Sequence, residues 1–176
     1  MDLHLFLIAA AALAVERITY IWISRQPHAF ERLLKGTPLV CAVSPIDAVR
    51  WLFIGFKLLQ GAVFLRWLIT HAEGSYVLRS PAAAVFGVLL VAFGQQLNIA
   101  VFRRLGADGV FFGRWFGKPL QWTTEFPFSF VAHPQYLGAS LSIWGLFLLM
   151  RYPYPDWLAL PMLESAYYAV AARLER

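Results

Sequence analysis

The sequence predicts an all-α fold, a polytopic transmembrane helix bundle of about five membrane segments, and three observations support this. Of its 176 residues 60% are apolar and only 14% charged, whereas soluble domains carry about 25% charged residues. The mean hydropathy is +0.60. The apolar residues also gather into runs of about 20, the length a helix needs to cross the hydrocarbon core. A chain of this size has too little interior to hide such an excess, so the excess must face lipid.

The segments follow in order. Residues 3–23 span if Glu16 and Arg17 lie near the end or face protein. The run 5–15 ends in a signal-like Ala12-Leu13-Ala14, but Asp2 and His4 precede it in place of a basic region, so it reads as a retained first span. Residues 48–69 span with Arg50, Lys57 and Arg66 tolerated, and 81–102 hold no charge at all. Residues 126–150 are also free of charge, with Pro127 and Pro134 confining regular helix to 135–150. A fifth segment, 157–172, is entered through the turn Pro153-Tyr154-Pro155-Asp156. A re-entrant hairpin is the alternative for the last two.

Loop charges set the orientation. Arg25, Arg32 and Lys35 share one side with Arg103, Arg104, Arg114, Lys118, Arg173 and Arg176; Asp2, His71, Glu73, Arg79, Arg151 and Asp156 fall on the other. The basic side is cytosolic by the positive-inside rule, which puts the N-terminus outside. The net charge of +5 is scattered between apolar runs rather than gathered on one face, which argues against nucleic acid as a partner. Cys41 is the only cysteine, so neither an intrachain disulfide nor a cysteine-based metal site can form. The whole chain reads as one membrane domain, with N-terminal spans in 1–80 and a functional core in 81–176.

Four groups of residues stand out as chemistry. Gln95, Gln96 and Asn98 are polar positions within a span, where polar groups tend to face the bundle or a cavity. They either hydrogen-bond between helices or mark a site where Gly94 lets a ligand approach the backbone. Gly109, Gly113 and Gly117 recur every four residues, as on a small-residue packing ridge. His133-Pro134 precede a charge-free helix, whose N-terminal N–H groups attract carboxylates and phosphates. Glu164 lies within a span and Glu175 beyond it; an intramembrane carboxylate is either a site residue or paired with a cation such as Lys57. Glu125 reads as an interfacial loop charge.

In this order the features resemble the phospholipid and isoprenylcysteine methyltransferases of membranes. Ala92-Phe93-Gly94, Gly106-Ala107-Asp108-Gly109, the run from Phe112 to Gly117, Phe126-Pro127-Phe128 and the run from His133 to Gly138 carry the resemblance. It implies S-adenosylmethionine as cofactor, held among the last helices. The family's Gly-x-Gly element falls on Ala92, Phe93 and Gly94, and its His-Pro…Tyr…Gly element on His133, Pro134, Tyr136 and Gly138. One of its paired C-terminal glutamates falls on Glu175. Ala132 stands where the isoprenylcysteine enzymes carry an arginine. The implied activity is N-methylation of the phosphatidylethanolamine headgroup or its methylated derivatives. Carboxyl methylation of prenylcysteine or another amphiphile is the alternative, and a non-catalytic subunit or small transporter the rival of another class. The acceptor would come from the bilayer. The active face would be cytosolic, in a bacterial inner membrane or endoplasmic reticulum. An amine acceptor must lose a proton before attack, and Glu125, His133 and Glu164 are the candidate bases.

Overall fold

The computed structural model describes residues 2–38, 41–70, 80–120 and 123–175, so the loop charges His71, Glu73 and Arg79, and Arg176, lie outside the described residues. Within them the chain is helical and has no strand. Helix α1 covers Leu3–Arg25, α2 Pro27–Gly36, α3 Pro45–Thr70, α4 Pro81–Val110, α5 Pro134–Met150 and α6 Ala159–Leu174.

Local chemistry explains most of the boundaries. Asp2 accepts the N–H groups of His4 and Leu5 at the head of α1, satisfying donors that a helix start leaves free. Ser80 accepts the Ala83 N–H at the head of α4. A proline opens α2, α3, α4 and α5, where its missing N–H costs nothing. Helix α4 runs farther than 81–102. It breaks at Gly106, where φ is 64°, and resumes for one further turn. Phe112 and Gly117 then take left-handed conformations on either side of a short 3-10 turn, Gly113–Phe116. Gly109, Gly113 and Gly117 therefore share no helix face, and the expected packing ridge is not formed.

Helices α1, α3 and α4 are each long and apolar enough to cross a membrane. Helices α5 and α6 hold 17 and 16 residues, about 25 Å of helix each, short of a hydrocarbon core about 30 Å thick. They form a hairpin whose turn is fixed by Arg151, which donates from Nε to Asp156 Oδ1 at 2.9 Å.

The closest packing joins α4 to α5, which run antiparallel. Gly87 meets Gly145, and seven residues on Gly94 meets Gly138. A Cβ on Gly138 would come within 2.6 Å of the Gly94 carbonyl oxygen, so glycine is what lets the two backbones approach. Two apolar clusters flank the middle of the bundle. One gathers Leu13, Phe64, Trp67, Phe147 and Leu160. The other gathers Tyr20, Ile23, Phe30, Val49 and Phe111 beneath α2 at the basic end. Between them lies a polar layer.

A polar cavity at the basic end of the bundle

A cavity of about 1040 Å³ opens in that layer, walled by α1, α3, α4, α5, the 3-10 turn and the end of α6. It is at the upper end of the range for small-molecule sites, roughly 300–1,000 Å³, with room for more than one reactant.

On the α5–α6 wall, Pro134 starts α5 and leaves His133 as the residue ahead of it. The His133 ring stacks on Tyr136 one turn on, with centroids 5.7 Å apart and planes 11° apart. The Tyr136 hydroxyl donates to Glu175 Oε2, the first residue past α6. The second oxygen, Glu175 Oε1, is buried with no protein donor, as is Asn98 Oδ1 on α4. Burial raises the Glu175 carboxyl above the ordinary glutamate range; the Tyr136 hydrogen bond and the Arg17 charge offset this in part. On α4, Gln95 donates from Nε2 to Ser142 Oγ at 2.9 Å.

The α1–α3 wall is charged. Arg17 and Glu16 pair side chain to side chain, and Lys57 Nζ lies 3.1 Å from Glu16 Oε1. Lys57 also donates to Gln60 Oε1 at 3.1 Å, and Gln60 Nε2 donates to Glu164 Oε1 at 2.7 Å. The Arg17 guanidinium lies 4.2 Å from the Tyr168 ring centroid and 5.7 Å from those of Tyr20 and Tyr136. Burying such charges is tolerable because each carboxylate has a donor or counter-charge.

Of the residues singled out from sequence, His133, Pro134, Tyr136 and Glu175 meet at this cavity, and Gln95 and Asn98 join them. The others lie elsewhere. Gly94 and Gly138 are buried in the α4–α5 contact. Ala92 and Phe93 are exposed on the outer face of α4, where lipid would lie. Of the three Gly-x-Gly positions Gly94 alone brings α4 and α5 together, and none of them lines the cavity. Glu125 is exposed and pairs with Arg104 at 2.6 Å, away from the lining. Glu164 is 1% exposed and sits behind Gln60; its partner is an amide, while Lys57 serves Glu16. The sequence reading passed over Glu16, Arg17 and Gln60 as site residues and named Lys57 as a counter-charge for Glu164, whereas it pairs with Glu16. Their signal was present, since ionisable residues within spans mark functional or paired positions. Among the described residues no group of three or more His, Cys, Asp or Glu is placed to hold a metal ion.

These features define a helical membrane protein with a polar, aromatic-lined chamber at one end of its bundle. The chain belongs to the phospholipid methyltransferase family, whose model matches residues 82–176, more than half of its length. It is similar to a phosphatidyl-N-methylethanolamine N-methyltransferase of Arabidopsis thaliana, 48% identical over 54 residues, which are 31% of this chain and 33% of that protein. A protein of the same name from Neurospora crassa is 35% identical over 104 residues, 58% of this chain and 45% of the relative. The chain thus spans between a third and a half of the length of these curated relatives. No solved structure matches it.

Proposed function

We propose that the protein is an S-adenosylmethionine-dependent methyltransferase that N-methylates the amino headgroup of phosphatidylethanolamine or its methylated derivatives, with the cavity as its active site on the cytosolic face. The observation that carries this reading is the Tyr136–Glu175 pair at the cavity wall. It presents a buried carboxylate, with one oxygen unengaged, beside two aromatic faces.

The donor set suits the cofactor. S-adenosylmethionine supplies, when bound, a methyl group on a cationic sulfonium, and both the sulfonium and the acceptor's ammonium call for negative charge and aromatic faces. Glu175 with Tyr136 offers both, and Asn98 Oδ1 is a second buried acceptor for an amino group. The N-terminus of α5 at Pro134, with His133 ahead of it, favours a carboxylate. Methyl transfer is an in-line displacement, so the protein's main contribution is to hold the two reacting atoms in line. The acceptor nitrogen must shed a proton first. His133 lines the cavity, whereas Glu125 and Glu164 do not, so His133 is the base in this reading. In this reading, residues 81–176 are the core that holds the cofactor, and residues 1–80 close its far wall.

The test is to incubate the purified protein with radiolabelled S-adenosylmethionine and a panel of lipids: phosphatidylethanolamine, its mono- and dimethyl forms and a prenylcysteine. Label in the nitrogen-methylated lipids is expected. Label in the prenylcysteine alone would reassign the acceptor, and label in none would sink the reading.

A further inference from the structure

The charged wall contributed by α1 and α3 has no role in the reading above. Arg17 is 5% exposed, yet its Nε is buried with no acceptor. The hydroxyls of Tyr20 and Tyr168, 6% and 4% exposed, are likewise buried without a partner. Their rings lie 5.7 and 4.2 Å from the Arg17 guanidinium, and all three residues line the cavity. Three residues that line one region of the cavity thus carry buried donors with no acceptor in the protein, and buried donors are as a rule paired with an acceptor. Arg17 and Lys57 share the one carboxylate of Glu16, which leaves the Arg17 Nε without an acceptor. A guanidinium in a low-dielectric wall is the preferred partner of a planar or tetrahedral oxyanion.

We infer that Arg17, Tyr20 and Tyr168 form an oxyanion subsite that holds a carboxylate or phosphate group of a reactant in the cavity. Two of the three residues come from α1, outside the matched residues 82–176, so the subsite is supplied largely by the N-terminal part of the chain. The inference rests on the reading of the cavity as the methyl-transfer site. Two sources offer this chemistry, the carboxylate of the donor's methionine moiety and the phosphodiester of the lipid acceptor. The subsite fixes whichever it binds about one aromatic ring away from Tyr136.

The experiment measures dissociation constants by calorimetry for the wild type and for Arg17→Lys, Tyr20→Phe and Tyr168→Phe. Each phenylalanine removes one hydroxyl and keeps the packing, and lysine keeps the charge for Glu16 but loses the fork. The probes are S-adenosylhomocysteine, its decarboxylated counterpart, phosphatidylethanolamine in micelles and the methyl ester of that phosphate. The expected result is a loss of about tenfold or more in affinity for one anionic probe, while its neutralised counterpart binds the wild type and the variants alike. Loss confined to S-adenosylhomocysteine assigns the donor carboxylate, and loss confined to the lipid assigns the phosphodiester. Folded variants that bind all four probes as the wild type does overturn the subsite, as does an equal loss for a probe and its counterpart, which would report packing alone. A wild type that binds none of the four overturns the parent reading and this one with it.

Discussion

The Tyr136 hydroxyl donates to the Glu175 carboxylate, joining the first turn of α5 to the residue that ends α6 across 39 positions of sequence. Glu175 is held by a side chain from a different helix, and Tyr136 lies between it and the His133 ring.

Glu175→Gln keeps the size and an acceptor for Tyr136 but removes the charge. Affinity for S-adenosylmethionine, measured by calorimetry, should fall at least about tenfold, or roughly 1.4 kcal/mol. Tyr136→Phe should also weaken binding, and the double variant should lose less than the sum of the two, since residues in direct contact couple by about 0.5–3 kcal/mol. Wild-type affinity in Glu175→Gln would remove that carboxylate from the site.

The same carboxyl predicts a pH dependence. Burial raises it above the ordinary glutamate range, about 4.3 in unperturbed peptides, so it takes up its proton at a higher pH than an exposed glutamate would. The neutral form cannot balance a sulfonium. Affinity for S-adenosylmethionine should therefore decline as pH falls toward and through that raised value, and the decline should vanish in Glu175→Gln. Binding of the uncharged thioether S-adenosylhomocysteine should change less. Parallel pH profiles for the wild type and Glu175→Gln would assign the dependence to another group.

Much of this was legible in the sequence. Hydropathy alone placed α1, α3 and α4, and Pro134 set the start of α5 to within a residue. His133, Tyr136 and Glu175 were marked by the family resemblance and do meet at the cavity. The charged wall was not legible, because Glu16, Lys57 and Glu164 lie on three helices whose rotation about their axes hydropathy does not fix. Each charge could be noted, but not that Gln60 would carry the layer across to Glu164. Gly94 was read as a ligand-facing position for a similar reason. A bare backbone face serves a ligand or a helix equally well, and only the position of Gly138 decides for the helix.

That decision has a consequence for stability. A Cβ on Gly94 would overlap the Gly138 carbonyl oxygen and the Ser142 side chain. Gly94→Ala should therefore destabilise the purified protein by about 1–3 kcal/mol, the usual range for overpacking, seen as a lower thermal midpoint without ligand. Gly61, on α3, has nothing within 4 Å of an added Cβ, so Gly61→Ala should be neutral or slightly stabilising. Equal midpoints for Gly94→Ala and the wild type would mean that the α4–α5 contact is looser than these glycines imply.

The orientation of the cavity can be tested with the protein's own cysteine. Cys41 is exposed between α2 and α3, at the end of the bundle where Arg25 Nε donates to the Leu174 carbonyl oxygen at 3.1 Å and Phe30 meets Phe116. Tyr152, also exposed, lies in the turn between α5 and α6 at the opposite end. If the basic end is cytosolic, Cys41 should resist an impermeant maleimide added outside sealed vesicles that keep their cytosolic face inward, and should react once detergent is added. In a Cys41→Ser background, Tyr152→Cys should react from outside if α5 and α6 both cross. Protection of both positions would keep the cytosolic cavity but make the α5–α6 pair a re-entrant hairpin, in line with helices of only 17 and 16 residues. Labelling of Cys41 from outside would put the cavity on the wrong side for a donor made in the cytosol, and would overturn the proposed orientation outright.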